Sequence, residues 1–593
     1  MARAWLETCS REHTLCEANY EDGFLPTRLI DIGNSPNGAI NPCLVITNDV
    51  ERNRIPKDTR YLALSHCWGT NRGKTVPKTT TANLTAHLDS IETNTIPKTF
   101  SDAMEVVRRL GLRYIWIDSL CIIQDDKKDF EVECSRMHRI YSQAHCTIVV
   151  SGKHTRLSIS IVYQLTAIQA SDSPDSNGGC FIPRNSGSAL RKFCKFTAYN
   201  KHSTYRATSL MDPLIGSSRN GPEQAEVTIY PHFGPWVKGI QRGSVFTRGW
   251  CLQEREMSPK ILHFTRERLL WECRQCVASE DKPQLELKQD ANKKLAAHLS
   301  NFRLLDDNDN YTYSKSKNGV VKKSHKWEKL VEAYSKRALS VVTDKLPAIS
   351  GIAASLALRQ PDDVYLAGLW RSNLLEGISW FPRKPPEPPI LSSSEWPPTS
   401  VDPGIPSWSW AAHSGPIMFC GQTWFSSSFV RGTDKDGKEG WVKSKLETNI
   451  ESVSVNHDSA DAFGRVSEGE LALVGWAAEL TLIEDDVIPR SHGTHDEGNV
   501  HFSSKCYSRL VDNSGATIYF DNEVDTLPET RFLCLQLGTG KNARATCSNA
   551  DVGLVLLRVS SNDDAYRRVG MFDISINYTG WHTIREKRRV RII

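Results

Sequence analysis

Trp250 and Glu254 stand four residues apart in Arg248-Gly-Trp-Cys-Leu-Gln-Glu-Arg-Glu256. On a helix that spacing puts them on one face, so a flat aromatic wall stands beside a carboxylate, as in a small-molecule site. The same spacing also describes a packed ring next to a solvated acid. His66 beside Cys67 invites a thiol-nucleophile reading. Neighbours on a strand point to opposite faces, however, so these two cannot act on each other, and one faces a pocket while the other faces the core. Asp118, followed by Ser119, serves equally as a pocket group or as the cap of the next loop. Two clusters carry soft metal ligands, Cys9, His13 and Cys16, and Cys273-Arg-Gln-Cys276. Each lacks a nearby second half at zinc-finger spacing, so neither is read as a metal site.

The elements that must position these residues follow from hydrophobic periodicity. Tyr61-Leu-Ala-Leu-Ser-His-Cys-Trp-Gly69 reads as a buried strand that stops at a glycine turn. Phe100, Ala103, Met104, Val107 and Leu110 fall at helical spacing between a capping Thr99 and a terminating Gly111. Tyr114-Ile-Trp-Ile117 is a second strand, and a helix with Phe130, Cys134, Met137, Tyr141 and Ala144 on one face follows it. Cys146-Thr-Ile-Val-Val150 and Ile261-Leu-His-Phe264 are further strands, the last reached through the Trp250 helix. Alternating strands and helices predict a parallel sheet covered on both faces, with residues 61–69, 114–118, 146–150 and 261–264 as neighbours. Ligands of such sheets bind beyond the carboxyl ends of the strands, where Ser65, His66, Trp68 and Asp118 leave strands and the helix carrying Arg248, Trp250 and Glu254 begins.

The remainder of the chain bounds the function. Its 593 residues imply several domains. We divide it into an extension (1–55), the α/β domain (56–280, with an insert at 151–247) and a helical region (281–380). A Pro-rich connector (381–406) and a β-rich domain (407–593) follow. The polar stretch from Asp306 to Lys323 reads as an exposed loop, and helical patterning runs from Trp327 to about Leu358, with Tyr334 and Ala338 one turn apart. Trp408 and Trp410 are spaced to pack one face of the β-rich domain. A net charge of +4 gives no reason to expect nucleic acid or a membrane as partner. The basic ending, Arg585 to Arg591, fits a terminal strand with one polar face. With no signal peptide and no spanning apolar run, the chain is expected to be cytoplasmic and its 16 cysteines mostly reduced.

Taken together, Tyr61 to Gly69, Tyr114-Ile-Trp-Ile-Asp-Ser-Leu-Cys-Ile-Ile-Gln124 and Arg248 to Glu256 resemble the three blocks of the fungal heterokaryon-incompatibility (HET) domain, in the same order. Phe130 stands where that family often has Trp. Asp344-Lys-Leu-Pro-Ala348, Tyr365-Leu-Ala-Gly-Leu-Trp370 and Pro406-Ser-Trp-Ser-Trp410 look like the companion regions found after the domain. The resemblance implies a TIR-like parallel sheet flanked by helices and a role in non-self recognition and programmed cell death. HET domains are regarded as remote relatives of TIR domains, whose enzymatic members cleave NAD with a glutamate one turn after a Trp. That makes Glu254 the catalytic candidate, with Ser65, His66, Trp68, Asp118, Arg248 and Trp250 lining the pocket. NAD is then substrate, and no cofactor or metal is expected. The alternative is a non-catalytic signalling module that self-associates or binds a protein partner.

One stretch, Gly152 to Gln169, interrupts a passage from Ser151 into Ala170 that HET-like chains tend to make directly. Gly152-Lys153 can be encoded with a splice-donor sequence, Leu165-Thr166 with a branch point and Gln169-Ala170 with an acceptor. The stretch therefore reads either as a translated intron or as a surface insertion.

Overall fold

Strands that are mostly apolar on both sides are satisfied when covered on both faces, and the chain supplies four of these to one sheet. The computed structural model describes residues 1–16, 23–33, 41–48, 55–68, 76–151, 179–181, 194–199, 224–229, 244–265, 268–287, 314–315, 321–322, 326–383, 404–419, 429–433, 439–443, 445–458, 461–481, 517–521, 531–541, 549–560, 563–575 and 579–593. Helix α1 (Ala2–Glu12) opens the chain. Strands β1 (Arg28–Asp31), β2 (Cys43–Ile46) and β3 (Tyr61–Ser65) come next, then α2 (Lys98–Arg109), β4 (Tyr114–Trp116), α3 (Lys127–Gln143) and β5 (Cys146–Ser151). After the insert come α4 (Cys251–Met257), β6 (Lys260–Thr265), β7 (Leu269–Cys273), β8 (Cys276–Ser279) and β9 (Lys282–Leu287).

These nine strands form one sheet in the order β9-β8-β7-β6-β5-β3-β4-β1-β2. The central four, β6, β5, β3 and β4, are parallel, as the alternation of strands and helices predicts. Numbered along the chain, they lie in the order second, first, third, fourth, so the direction of winding reverses between β3 and β5. Such a reversal leaves a crevice at the carboxyl ends of the strands. The flanks are antiparallel: β1 and β2 extend one edge, and the β7–β9 meander extends the other. The patterning did not single out β1 and β2, which are only four residues each.

One capping expectation needs correction. Thr99 does not cap α2; Pro97 takes that position, and the Thr99 hydroxyl instead accepts the Gly179 N–H at 3.1 Å. Proline has a preset φ and no N–H to satisfy, which suits a helix start. Helix α3 does carry a side-chain cap, Asp126, which accepts from the N–H groups of Lys128 and Asp129. Within the insert, 194–199 and 224–229 pair as a separate two-stranded sheet and do not join the main one. Gly69, the stretch 152–169, and most of the 306–323 loop and of the Pro-rich connector lie outside the described residues.

Helix α5 (Lys326–Tyr334) ends where the pattern would carry it on to Ala338. Ala338 forms a bridge with Arg248, its N–H bonded to the Thr247 carbonyl, and Gly249 N–H returns to the Ala338 carbonyl at 2.8 Å. This pairing takes the backbone groups that a longer helix would have used. Helix α6 (Pro347–Ala357) packs against α3 and α4. Gly351 permits that approach, because a Cβ there would lie 2.2 Å from the His138 Cβ.

The C-terminal region is β-rich. Strands β10 (Val466–Thr481), β11 (Arg531–Lys541), β12 (Asn549–Ser560), β13 (Asp563–Ser575) and β14 (Glu586–Ile592) pair in sequence, and β10 pairs with both β14 and β11. The pairings therefore close on themselves, which removes the free edges of these five strands. The basic tail is β14: Val590 and Ile592 are buried, while Arg588, Arg589 and Arg591 meet Glu479, Glu451 and Glu470.

The three companion stretches converge in an aromatic core. Trp408 and Trp410 are both fully buried. Trp410 and Trp327 each donate to the Gly368 carbonyl at 2.8 Å, and Ser409 Oγ donates to the Ala367 carbonyl at 2.6 Å. Ala367 and Gly368 have φ of 47° and 95°, the two positive values that a two-residue hairpin turn demands. Trp408 and Trp410 thus act in packing.

Candidate active site

The residues gather at the carboxyl edge of the parallel strands. Ser65 is the last residue of β3 and only 2% exposed, and Asp118 follows β4 at the start of a single helical turn, Asp118–Cys121. Helix α4 begins at the same edge, with Trp250 at its N-cap position and Glu254 in its first turn. The Glu254 N–H bonds to the Trp250 carbonyl at 3.3 Å, so the two are one turn apart as the spacing predicts.

Glu254 is 5% exposed, and its Oε2 has no hydrogen-bond partner among the described residues. Burial pushes its pKa up from 4.5 to about 7, helped by the negative charge of Asp118 and opposed by a hydrogen bond from Ser65 and the charge of Arg248. Tyr141 reaches the same carboxylate from α3. Its hydroxyl donates to the Leu64 carbonyl at 3.1 Å, and burial, with the charges of Glu254 and Asp118, raises its pKa well above the phenol range. The periodicity identified Tyr141 only as a core position on its helix. The available signal was a polar ring tip on an otherwise apolar face.

Asp118 anchors the opposite side. Its Oδ2 accepts Trp68 Nε1–H at 2.7 Å and its Oδ1 accepts the Ser119 N–H at 2.7 Å. The carboxylate thus ties the start of that turn to the Trp68 ring, although Ile117 holds the N-cap position. Lys78 lies 5.0 Å over the Trp68 ring, a cation that the sequence reading did not include.

His66 is 4% exposed, packs edge-on against Phe100 at 4.9 Å, and burial lowers its pKa to about 4. Its Nδ1 lies 3.9 Å from Asp118 Oδ1. That is too long for a hydrogen bond, and a neutral ring makes no ion pair, so His66 sits beside Asp118 as an uncharged wall. Cys67 goes elsewhere, packing with Val149, Val245, Cys251 and Ile261. The two neighbours do point apart.

Arg248 Nη1 donates to the His66 carbonyl at 3.2 Å, which ties the third sequence block to the first. Trp250 has different neighbours from Glu254: its Nε1 donates to Asp344 Oδ2 at 3.1 Å, in the first companion stretch. Gln253 Oε1 accepts the Gly351 N–H at 2.8 Å. Helix α4 is thus clamped between the sheet and the helical region. The structure brings Ser65, His66, Trp68, Asp118, Arg248 and Glu254 into one cluster and turns the Trp250 indole toward the helical region.

Chemically, this is a buried carboxylate whose Oε2 has no partner among the described residues, within the field of Arg248 and Asp118. It could stabilise a developing positive charge or orient hydroxyls, and both functions fit the position beyond the carboxyl ends of the strands. The two cysteine clusters also meet, on the antiparallel side of the same sheet. Cys9, His13, Cys16 and Cys273 place their ligand atoms within 4.8 Å of one another. In sequence each cluster lacks a nearby second half at zinc-finger spacing; in the fold the two lie side by side.

No helix among the described residues is long and apolar enough to cross a membrane. No curated protein and no solved structure matches the chain. Residues 61–254, from the first residue of β3 to Glu254 itself, match the model of the heterokaryon incompatibility protein (HET) family.

Proposed function

We propose that residues 61–254 are the NAD-cleaving domain of a fungal protein of non-self recognition and programmed cell death, and that Glu254 is its catalytic carboxylate. The observation that carries this reading is the state of Glu254: buried at the carboxyl edge of a doubly wound sheet, unpartnered at Oε2 among the described residues, and pushed up to a pKa of about 7 by burial. A buried carboxylate with one oxygen left without a hydrogen bond is unfavourable unless a ligand completes it.

The reaction balances as a hydrolysis. The bond between ribose C1′ and the nicotinamide nitrogen breaks, its electron pair neutralises the pyridinium, a water oxygen adds to C1′, and one proton is released. The transition state has oxocarbenium character, as in glycoside cleavage, and ionised Glu254 stabilises that charge or fixes the ribose hydroxyls. Trp68, braced by Asp118, offers a ring for stacking, and Lys78 and Arg248 supply positive charge for the pyrophosphate. The likeness of Trp250-Cys-Leu-Gln-Glu254 to the TIR catalytic segment supports the same assignment.

Incubation of the purified chain with NAD, followed chromatographically, tests the proposal. Nicotinamide and ADP-ribose should appear in equal amounts. Intact NAD in the presence of folded protein contradicts the enzymatic reading and leaves the self-associating signalling module.

A further inference from the structure

We propose that α1 is stapled to the hairpin β7–β8 by a structural zinc ion held by Cys9, His13, Cys16 and Cys273. The two halves of the site are built independently. Cys9 and His13 are four residues apart at the end of α1, where the His13 N–H bonds to the Cys9 carbonyl at 3.1 Å, so their side chains share a face. A single 3₁₀ turn, Thr14–Cys16, then brings Cys16 back, with its N–H on the His13 carbonyl at 3.0 Å. On the other half, Cys273 ends β7 and Cys276 begins β8, three residues apart across the hairpin.

The halves are held together by more than the cysteines. Trp5 Nε1 donates to the Pro283 carbonyl at 2.6 Å, the Leu15 N–H reaches Gln275 Oε1 at 3.2 Å, and Lys260 Nζ donates to Ser10 Oγ at 3.1 Å. Trp5 also packs on Trp271 at 6.3 Å. A ligand set separated by more than 250 residues in sequence is thereby fixed in space.

The geometry is that of a tetrahedral thiolate site. All four ligand atoms lie within 4.8 Å of one another, and zinc–sulfur bonds of about 2.3 Å set tetrahedral edges of roughly 3.8 Å, so a small contraction closes the cage. His13 Nδ1 is 3.4 Å from Cys273 Sγ. The Cys276 N–H points at Cys273 Sγ from 3.1 Å, which favours the thiolate form that a metal requires. Cys276 Sγ lies 3.4 Å from His13 Nε2, where it orients the imidazole rather than completing the set.

Cys9, Cys16 and Cys273 are each fully buried. Four protein ligands with no open position make the ion structural rather than catalytic. Cysteines acting only as small apolar residues would give no reason for an imidazole to sit among the thiols with both nitrogens near sulfur. The ion would stabilise the antiparallel side of the sheet, on the strand that pairs directly with β6, independently of NAD cleavage.

Metal analysis of the full chain, purified in metal-free buffer without chelator, tests this. One zinc per chain is expected, released when the thiols are titrated with a mercurial. Replacement by cobalt(II) should give thiolate-to-metal charge-transfer bands with the strong visible bands of a tetrahedral site. Cys273→Ser and Cys16→Ser should lose the metal, while Cys534→Ser, a buried cysteine elsewhere, should keep it. Cys276→Ser should retain full stoichiometry with about 10- to 100-fold weaker affinity. Wild-type protein with no zinc above a buffer blank and no cobalt spectrum would overturn the proposal, whether or not the variants fold. Loss of zinc in Cys276→Ser together with its retention in His13→Ala would overturn the assignment of His13.

Discussion

Two glutamates buried in the same sheet region have opposite surroundings. On the antiparallel side, Glu272 of β7 is fully enclosed, and both its oxygens are used: Arg255 meets Oε1 at 2.9 Å and Oε2 at 3.2 Å, and His263 Nε2 meets Oε2 at 3.0 Å. On the parallel side, Glu254 is buried almost as deeply, yet Oε2 has no partner among the described residues and burial raises the pKa to about 7. Burial alone therefore does not mark a site. A carboxylate that the fold has paired is part of the scaffold, whereas one left incomplete at the carboxyl edge of the strands is available to a ligand.

The comparison breaks most sharply on stability. Glu272→Ala would leave Arg255 and His263 buried around a missing partner and should destabilise the fold by about 3–5 kcal/mol in denaturant titration. A loss below about 1 kcal/mol would mean that Glu272 is not the scaffold group described above.

Glu254→Gln should act in the reverse direction. The folded pKa of about 7 lies above the ordinary 4.5. The unfolded chain thus releases the Glu254 proton first as pH rises, and stability falls between pH 4.5 and 7 by roughly 3 kcal/mol. Glutamine removes that loss. The variant should match wild type near pH 4 and exceed it above pH 7, by up to that amount. Equal stability across the whole range would show that the carboxylate is not desolvated.

A smaller effect separates the roles open to Trp250. Trp250→Phe keeps the ring and removes the donor to Asp344, whose pKa burial raises against that bond. A loss of about 1–3 kcal/mol with unchanged KM for NAD identifies an anchor of α4. A raised KM at unchanged stability identifies a stacking wall instead.

The parallel core was legible because its signals are local. Each of the strands 61–65, 114–116, 146–151 and 260–265 is an apolar run next to a helix with clean periodicity, and polar residues follow the first two at the same edge. The candidate site was legible for the same reason, since Ser65, Asp118 and Glu254 are each tied to the end or start of such an element. Tyr141 and Lys78 escaped because only the packing of α3 and the approach of residue 78 to Trp68 bring them in. The junction of Cys9, His13 and Cys16 with Cys273 escaped because its halves meet only when the sheet has formed. Ala338 was misassigned because tertiary pairing with Arg248 overrode a helical pattern.

The central claim is that the incomplete carboxylate does the chemistry. Its most direct test is the rate of nicotinamide release from NAD between pH 5 and 9 for wild type and Glu254→Gln, with folding checked at each pH. Wild-type turnover should rise with pH through about 7 as Glu254 ionises, and the variant should be slower by about 100- to 1,000-fold at every pH. A folded Glu254→Gln protein that releases nicotinamide at the wild-type rate would contradict the account.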